Sequence, residues 1–274
     1  MATFKPESPI GIFDSGIGGL TVANSIIRHM PNESIVYFGD TAHMPYGEKS
    51  ADAIRYYSLR IGKFLLDQGC KMIVIACNSA SSAAYHTLLD FFKGQALFVN
   101  VVDPLVNYTL NKQYERIGVI ATKATIHSRI YEQKIREKNQ NAYVYSLATP
   151  LLAPMIEEGF AGNNISKSII ETYLSDPGFK DIEALLLACT HYPLIRKEIE
   201  SYFGFKVDVV DSTEAVANEV KDLLSKHQLL ATESQNDFPS VKRSFYVSDL
   251  TPSFQETTSV FFGQKINLQQ IQIW

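Results

Sequence analysis

The chain of 274 residues has little cysteine, no long hydrophobic run and no surplus of positive charge. Three cysteines cannot supply a disulfide framework. The opening Met1-Ala2-Thr3-Phe4-Lys5-Pro6-Glu7 lacks the apolar core of a signal peptide, so a reducing, cytoplasmic setting is expected. Each cysteine must then fill a core, bind a metal or act as a reactive thiol. The longest purely apolar stretches, 72–77 and 184–189, are six residues each, against about 20 for a membrane-spanning helix, so no membrane partner is expected. Basic residues number 25 against 29 acidic ones, a net charge of −4 that gives no electrostatic help in binding nucleic acid. Low-complexity segments are also missing. A content of 46% hydrophobic and 20% charged residues excludes disorder and fits a folded soluble protein. At ~150 residues per domain, the length suggests about two domains.

What is present is an alternation of short apolar runs with segments of helical spacing. The runs predict strands over 10–13, 35–38, 72–76, 97–102, 116–121, 142–146, 182–188, 207–210 and 244–247. Helices are predicted over 20–30, 51–68, 79–92, 128–138, 164–174, 193–203, 214–226 and 253–262. The polar stretch 231–240 reads as a loop, and the alternating stretch 266–274 as a half-exposed edge strand. Near-continuous runs such as Ile73-Val74-Ile75 and Leu185-Leu186-Leu187 suit parallel sheets buried on both faces.

The order of elements repeats. Strands ending in Asp14-Ser15-Gly16 and Ala76-Cys77-Asn78 have counterparts ending in Ala121-Thr122-Lys123 and Ala188-Cys189-Thr190. The two members of each pair are 63 and 67 residues apart, and the two cysteines are 112 apart. The fold class expected is α/β: two pseudosymmetric parallel-sheet domains facing each other across a central cleft. Ligands of open α/β sheets bind at the carboxyl ends of strands, so all four signatures would meet there.

Cys77 sits between a strand and a predicted helix whose first residues, Asn78 and Ser79, can cap it or hold a ligand. The helix dipole there favours thiolate. Cys189 repeats the setting, with Thr190 and His191 next and Pro193 at a first helical turn. A lone cysteine in such a place is usually a small buried apolar side chain, and Cys70, without polar companions, is read that way. Two in matched positions suggest a disulfide, a metal site or proton transfer between two thiols. The compartment disfavours the first. Cys189 and His191 lack the further ligands a structural zinc needs, so no metal is expected. Proton transfer is what a racemase requires: one group removes a proton from one face of a carbon while another returns one to the opposite face. Asp14 and His191 are placed to assist, or else are a turn carboxylate and a junction histidine. Gly16-Ile17-Gly18-Gly19 fails the G-x-G-x-x-G dinucleotide pattern, because Thr21 takes the third glycine position, and reads instead as a close approach to a small anion. Lys123 has no context for a pyridoxal Schiff base, so no cofactor is expected.

At this point the motifs resemble those of a known family. Asp14-Ser15-Gly16-Ile17-Gly18-Gly19-Leu20-Thr21-Val22 and Tyr37-Phe38-Gly39-Asp40-Thr41-Ala42-His43-Met44-Pro45-Tyr46-Gly47 are similar to the first two motifs of glutamate racemases. Ala76-Cys77-Asn78-Ser79-Ala80-Ser81 and Ala188-Cys189-Thr190-His191-Tyr192-Pro193 resemble their two cysteine motifs. The resemblance implies a cofactor-independent cytoplasmic enzyme that interconverts L- and D-glutamate for peptidoglycan. It implies Cys77 and Cys189 as acid/bases, assisted by Asp14, His191 and Glu157. It also implies substrate contacts from Asp14, Ser15, Pro45, Tyr46, Gly47, Asn78, Ser79, Thr122, Thr125, Thr190 and His191. A small-molecule substrate and a homodimer follow as partners. It further implies that the segment after about residue 212 returns to the first domain, giving 1–102 with 213–274 as one domain and 103–212 as the other.

Three departures stand out. Ser79 replaces the usual threonine, Ala121 stands where many members have glycine, and only thirteen residues precede Asp14. Some members carry a longer N-terminal extension linked to activation by a cell-wall precursor, and that activation is not expected here. Alternatives are an aspartate racemase and a non-catalytic, two-lobed binding module for a small anionic ligand. A thiol-based hydrolase or redox protein is a further rival.

Overall fold

The computed structural model describes residues 4–231 and 241–274. The loop expected over 231–240 therefore lies, apart from Ala231, outside the described residues. In chain order the first elements are β1 (Ile10–Asp14), α1 (Leu20–His29), β2 (Ile35–Gly39), α2 (Ala51–Asp67), β3 (Met72–Ile75), α3 (Asn78–Phe91) and β4 (Leu97–Asn100). Next come α4 (Val102–Asn111), β5 (Arg116–Ala121), α5 (Lys123–Ser128), α6 (Ile130–Lys138), β6 (Tyr143–Ala148), α7 (Leu152–Glu157) and α8 (Asn164–Leu174). The remainder is β7 (Ala184–Ala188), α9 (Arg196–Tyr202), β8 (Asp208–Asp211), α10 (Thr213–Lys226), β9 (Arg243–Val247), α11 (Pro252–Phe262) and β10 (Leu268–Gln270).

The strands form two sheets, ordered β10-β9-β2-β1-β3-β4 and β6-β5-β7-β8, and every pairing is parallel. Four strands of the first sheet (β2-β1-β3-β4) and all four of the second (β6-β5-β7-β8) follow one order. That is the repeat read from the sequence, now in three dimensions. In both, the chain reverses direction across the sheet between the first and third strands of the unit. Polar side chains after β1, β3, β5 and β7 therefore gather at crevices where open α/β sheets take ligands. Strands β1, β2, β3 and β7 are buried throughout, which explains why they are apolar but for Asp14 at the end of β1.

The helices show ordinary sequence logic. Ser50 caps α2 by accepting from the Ala53 amide, and Asn163 caps α8 through Ile165 and Ser166. Helix α10 runs its apolar side (Val216, Ala217, Val220, Leu224) into the interior and lies along α1. Among the described residues no helix is long and apolar enough to cross a membrane.

Two expectations are corrected here. The stretch 266–274 is strand only over Leu268–Gln270, which pairs parallel to β9. Beyond it the Ile271 amide still donates to Val247 O at 2.9 Å, and Ile271 and Ile273 pack against the apolar layer. The helix expected over 193–203 opens as a tight 3₁₀ turn, Tyr192–Ile195, capped by His191, and becomes α-helical only at Arg196. Cys189 is therefore not a helix cap, whereas Cys77 is the cap of α3.

Candidate active site

Asp14 ends β1 fully buried, and the glycine-rich loop folds over it. The amides of Gly16 and Gly19 donate to Oδ2 at 3.1 and 3.0 Å. Oδ1 is buried without a hydrogen-bond partner. Burial raises the Asp14 pKa, opposed by the nearby His191 charge and by these amides. The glycines are present for closeness. A Cβ on Gly19 would lie 2.6 Å from Asp14 Cβ, and one on Gly18 would lie 2.4 Å from His191 Cε1. The loop thus hugs two protein side chains, and its Gly16 also lines the cavity described below.

Cys77 is buried beside it. Its thiol points to Ser15 Oγ at 3.6 Å, and its Sγ accepts from the Ala80 amide at 3.4 Å. Burial, then the negative charge of Asp14, push the thiol up to about 12, against the hydrogen bonds from Ala80 and Ser15. The sequence reading expected thiolate from the helix dipole. The dipole is there, but desolvation outweighs it.

The second half is tuned differently. Cys189 Sγ, just past β7, lies 3.7 Å from His191 Nδ1. His191 Nε2 meets Glu157 Oε1 at 2.7 Å, from the end of α7, and the Phe261 ring packs edge-on against the imidazole. Burial alone would lower the His191 pKa. The hydrogen bonds and negative charges of Cys189 and Glu157 outweigh it and hold the value well above that of an ordinary histidine. Cys77 thus has an acidic neighbour and Cys189 a cationic one.

The walls come from both sheets. Ser79 Oγ lies 2.9 Å from Thr122 Oγ1 and 3.4 Å from Thr125 Oγ1, a hydroxyl cluster joining the start of α3 to the end of β5 and α5. Asn78 Oδ1 accepts from Tyr131 OH at 2.6 Å, while its Nδ2 is buried without a partner. Between these walls lies a cavity of about 230 Å³. That is below the ~300–1,000 Å³ typical of drug-sized ligands, a size for something as small as an amino acid. Every candidate named from the sequence lines it except Asp14 and Thr125, which stand just behind it, under Gly16 and against Ser79. Met44, Ala153 and Pro154 also line it and were not singled out, since apolar residues carry no chemical signal in a sequence. Tyr131 was missed too, although it fixes Asn78 from 53 residues away.

Cys70 is buried away from the cavity, with Gly11 packed beneath its sulfur, and serves as core. Lys123 is on the surface, 3.2 Å from Glu48. Among the described residues no three His, Cys, Asp or Glu side chains group as a metal site.

Two thiols from two matched sheets, each with its own polar partner, face one small cavity. The family model for Asp/Glu/hydantoin racemases matches residues 19–220. The chain belongs to this racemase family. Membership makes it an isomerase, an amino-acid racemase. It is 42% identical to the glutamate racemase of Chlorobaculum parvum over 94% of both chains. It is 43% identical to that of Aquifex aeolicus over 94% of this chain and 95% of the other. Its fold matches the glutamate racemase of Francisella tularensis, solved in complex with D-glutamate. The TM-score is 0.89 and the identity 36%, with 98% of each chain covered.

Proposed function

We propose that this racemase interconverts L- and D-glutamate by proton transfer between Cys77 and Cys189, without cofactor. The observation that carries the reading is the pair of cysteines lining one amino-acid-sized cavity from two sheets of the same strand order. Glutamate is favoured because the relatives matched over nearly their full length are glutamate racemases.

In the form we propose for the free enzyme, Cys77 is the thiol, as its upward shift favours. Cys189 is the base in this direction, 3.7 Å from His191 Nδ1, whose imidazolium Glu157 supports. The Cys189 thiolate takes the α-proton from one face, and the Cys77 S–H gives its proton to the other face. Cys189 ends as thiol, Cys77 as thiolate, and the α-carbon is inverted. Asp14 Oδ1 and Asn78 Nδ2, buried and unpartnered, are an acceptor for the substrate ammonium and a donor for a carboxylate. Ser15, Ser79, Thr122, Thr125 and Thr190 supply hydroxyls, and Pro45, Tyr46 and Gly47 form a wall. Holding the α-carboxylate among fixed donors stabilises the charge that builds as the proton leaves.

We further propose the domain division 1–102 with 213–274, and 103–212. It is supported by β9 and β10 joining the first sheet. A cytoplasmic role in supplying D-glutamate for peptidoglycan is proposed with it, supported by three free cysteines. The test is to incubate protein without added cofactor, in deuterated water with chelator, with L-glutamate, D-glutamate or aspartate. Loss of the α-proton signal together with loss of optical rotation, from both glutamate enantiomers, is expected. Faster exchange of aspartate would replace the substrate assignment, and exchange of neither would favour the binding-module reading. Full activity in both Cys77→Ala and Cys189→Ala would overturn the mechanism.

A further inference from the structure

The loop after β2 carries Pro45, Tyr46 and Gly47 to the cavity, and it is held from behind in two ways. The buried carboxylate of Asp40 accepts from Tyr46 OH at 2.6 Å and Ser248 Oγ at 2.8 Å and meets His43 Nδ1 at 2.8 Å. Behind it is a set of rings. His43 stacks on Tyr57 with centroids 4.3 Å apart, and Tyr57 stacks on Tyr46 at 5.7 Å. Trp274 closes the set edge-on, 4.5 Å from His43 and 5.5 Å from Tyr57. Arg60 Nη2 donates to Ile273 O at 2.5 Å, and Ile271 and Ile273 pack into the apolar layer, which brings Trp274 to this place.

We infer that Trp274 is a positioning residue for the substrate wall at 45–47, acting through His43 and Tyr57. The inference rests on the racemase reading. Cys77 and Cys189 follow the ends of β3 and β7, whereas the Trp274 ring meets His43 and Tyr57. Loosening the wall therefore weakens ground state and transition state alike, which raises KM and leaves kcat in place. A merely structural role would do the reverse, removing folded enzyme and so lowering apparent kcat at constant KM.

The experiment uses the full chain as wild type, Trp274→Ala, Trp274→Phe, His43→Ala and the double variant His43→Ala/Trp274→Ala. Initial rates of glutamate racemisation are measured in both directions. From the usual strength of one aromatic contact, Trp274→Ala raises KM by about three- to tenfold, with kcat within about twofold of wild type. Trp274→Phe keeps a ring edge in the set and restores KM. His43→Ala raises KM similarly, and the double variant is no worse than His43→Ala alone, because the two act as one unit. An unchanged KM in Trp274→Ala, or a fall in kcat at constant KM, overturns the inference while leaving an active racemase. A wild type that does not racemise glutamate overturns the racemase reading, and this inference with it.

Discussion

Gly18→Ala is a one-carbon test of the site. Gly18 lies outside the left-handed region, so alanine meets no backbone strain, and the whole effect comes from the new Cβ. That Cβ would stand 2.4 Å from His191 Cε1, 2.5 Å from Nδ1 and 2.6 Å from Thr190 Oγ1. Carbon contacts settle at roughly 3.5–4.0 Å, so the ring must retreat by about 1 Å. It has nowhere to go cheaply, being held by Glu157 at 2.7 Å and backed by Phe261. A displacement of about 1 Å in a catalytic arrangement costs about a hundredfold in rate, and that loss of kcat is the expectation. The side of the defect can also be read. Enantiomers have equal energy, so kcat/KM stays equal in the two directions for any variant. The α-deuterium isotope effect is free to differ. It should grow for the enantiomer whose α-hydrogen faces Cys189 and shrink for the other, for which Cys189 only returns a solvent proton. Circular dichroism gives the rates, and a melting curve confirms that the variant is folded. A folded Gly18→Ala keeping more than half of wild-type kcat would refute the reasoning.

A thiol at about 12 is ~3 × 10⁻⁵ ionised at pH 7.5, against roughly a tenth for a free one, and its greater intrinsic nucleophilicity recovers only part of the difference. Cys77 should therefore be alkylated by iodoacetamide about a hundredfold more slowly than free cysteine. Asp14→Asn, by removing a negative neighbour, should speed the reaction, and peptide mass mapping showing no acceleration would contradict that electrostatic link. His191 binds its proton more tightly folded than unfolded. Its stabilisation is complete below its unfolded value of about 6.5 and is lost as pH rises through the higher folded value. Glu157→Gln lowers the folded value, so the loss should be smaller and end at lower pH, and an unmoved alkaline limb in melting temperature against pH would count against the pairing. At the opposite end of the first sheet, buried Lys71 donates to Glu33 Oε2 at 2.6 Å and Leu229 O at 2.9 Å. Lys71→Met leaves the Glu33 carboxylate buried without its cation and should cost about 3–5 kcal/mol in urea unfolding, with racemase activity per folded molecule unchanged; a loss below about 1 kcal/mol would refute this.

The buried parallel strands were the most legible part of the chain, because burial on both faces leaves them almost purely apolar. Three helices escaped. α7 is six residues long and contains Pro154, α5 is equally short, and α4 carries Pro104 and polar Asn107 within it. Glu157 could be named only by resemblance, since its contact with His191 spans 34 residues and no local pattern announces it. At Cys77 the helix start points to thiolate, and the fold favours thiol. A helix start is visible in sequence, but the burial that outweighs it is a property of the assembled fold. The edge strand of the tail was legible from its alternation, but its short extent, Leu268–Gln270, was not.

The frame of the site is duplicated, but its electrostatics are not, and the proposed reaction gives a reason. Each turnover needs one thiol and one thiolate. Two identically tuned cysteines would spread the free enzyme over four protonation states, and the doubly protonated and doubly ionised ones are unproductive. An acid beside Cys77 favours its thiol form and an imidazolium lies on the Cys189 side, so the proposed reaction starts more readily from one productive state than from the other. Turnover leaves the opposite state, so the protons must return through solvent before a second substrate of the same hand is processed. That return affects kcat and KM in each direction separately. It cannot alter the equality of kcat/KM, which is fixed by the equal energies of the enantiomers, so an asymmetric pair costs the racemase nothing at equilibrium.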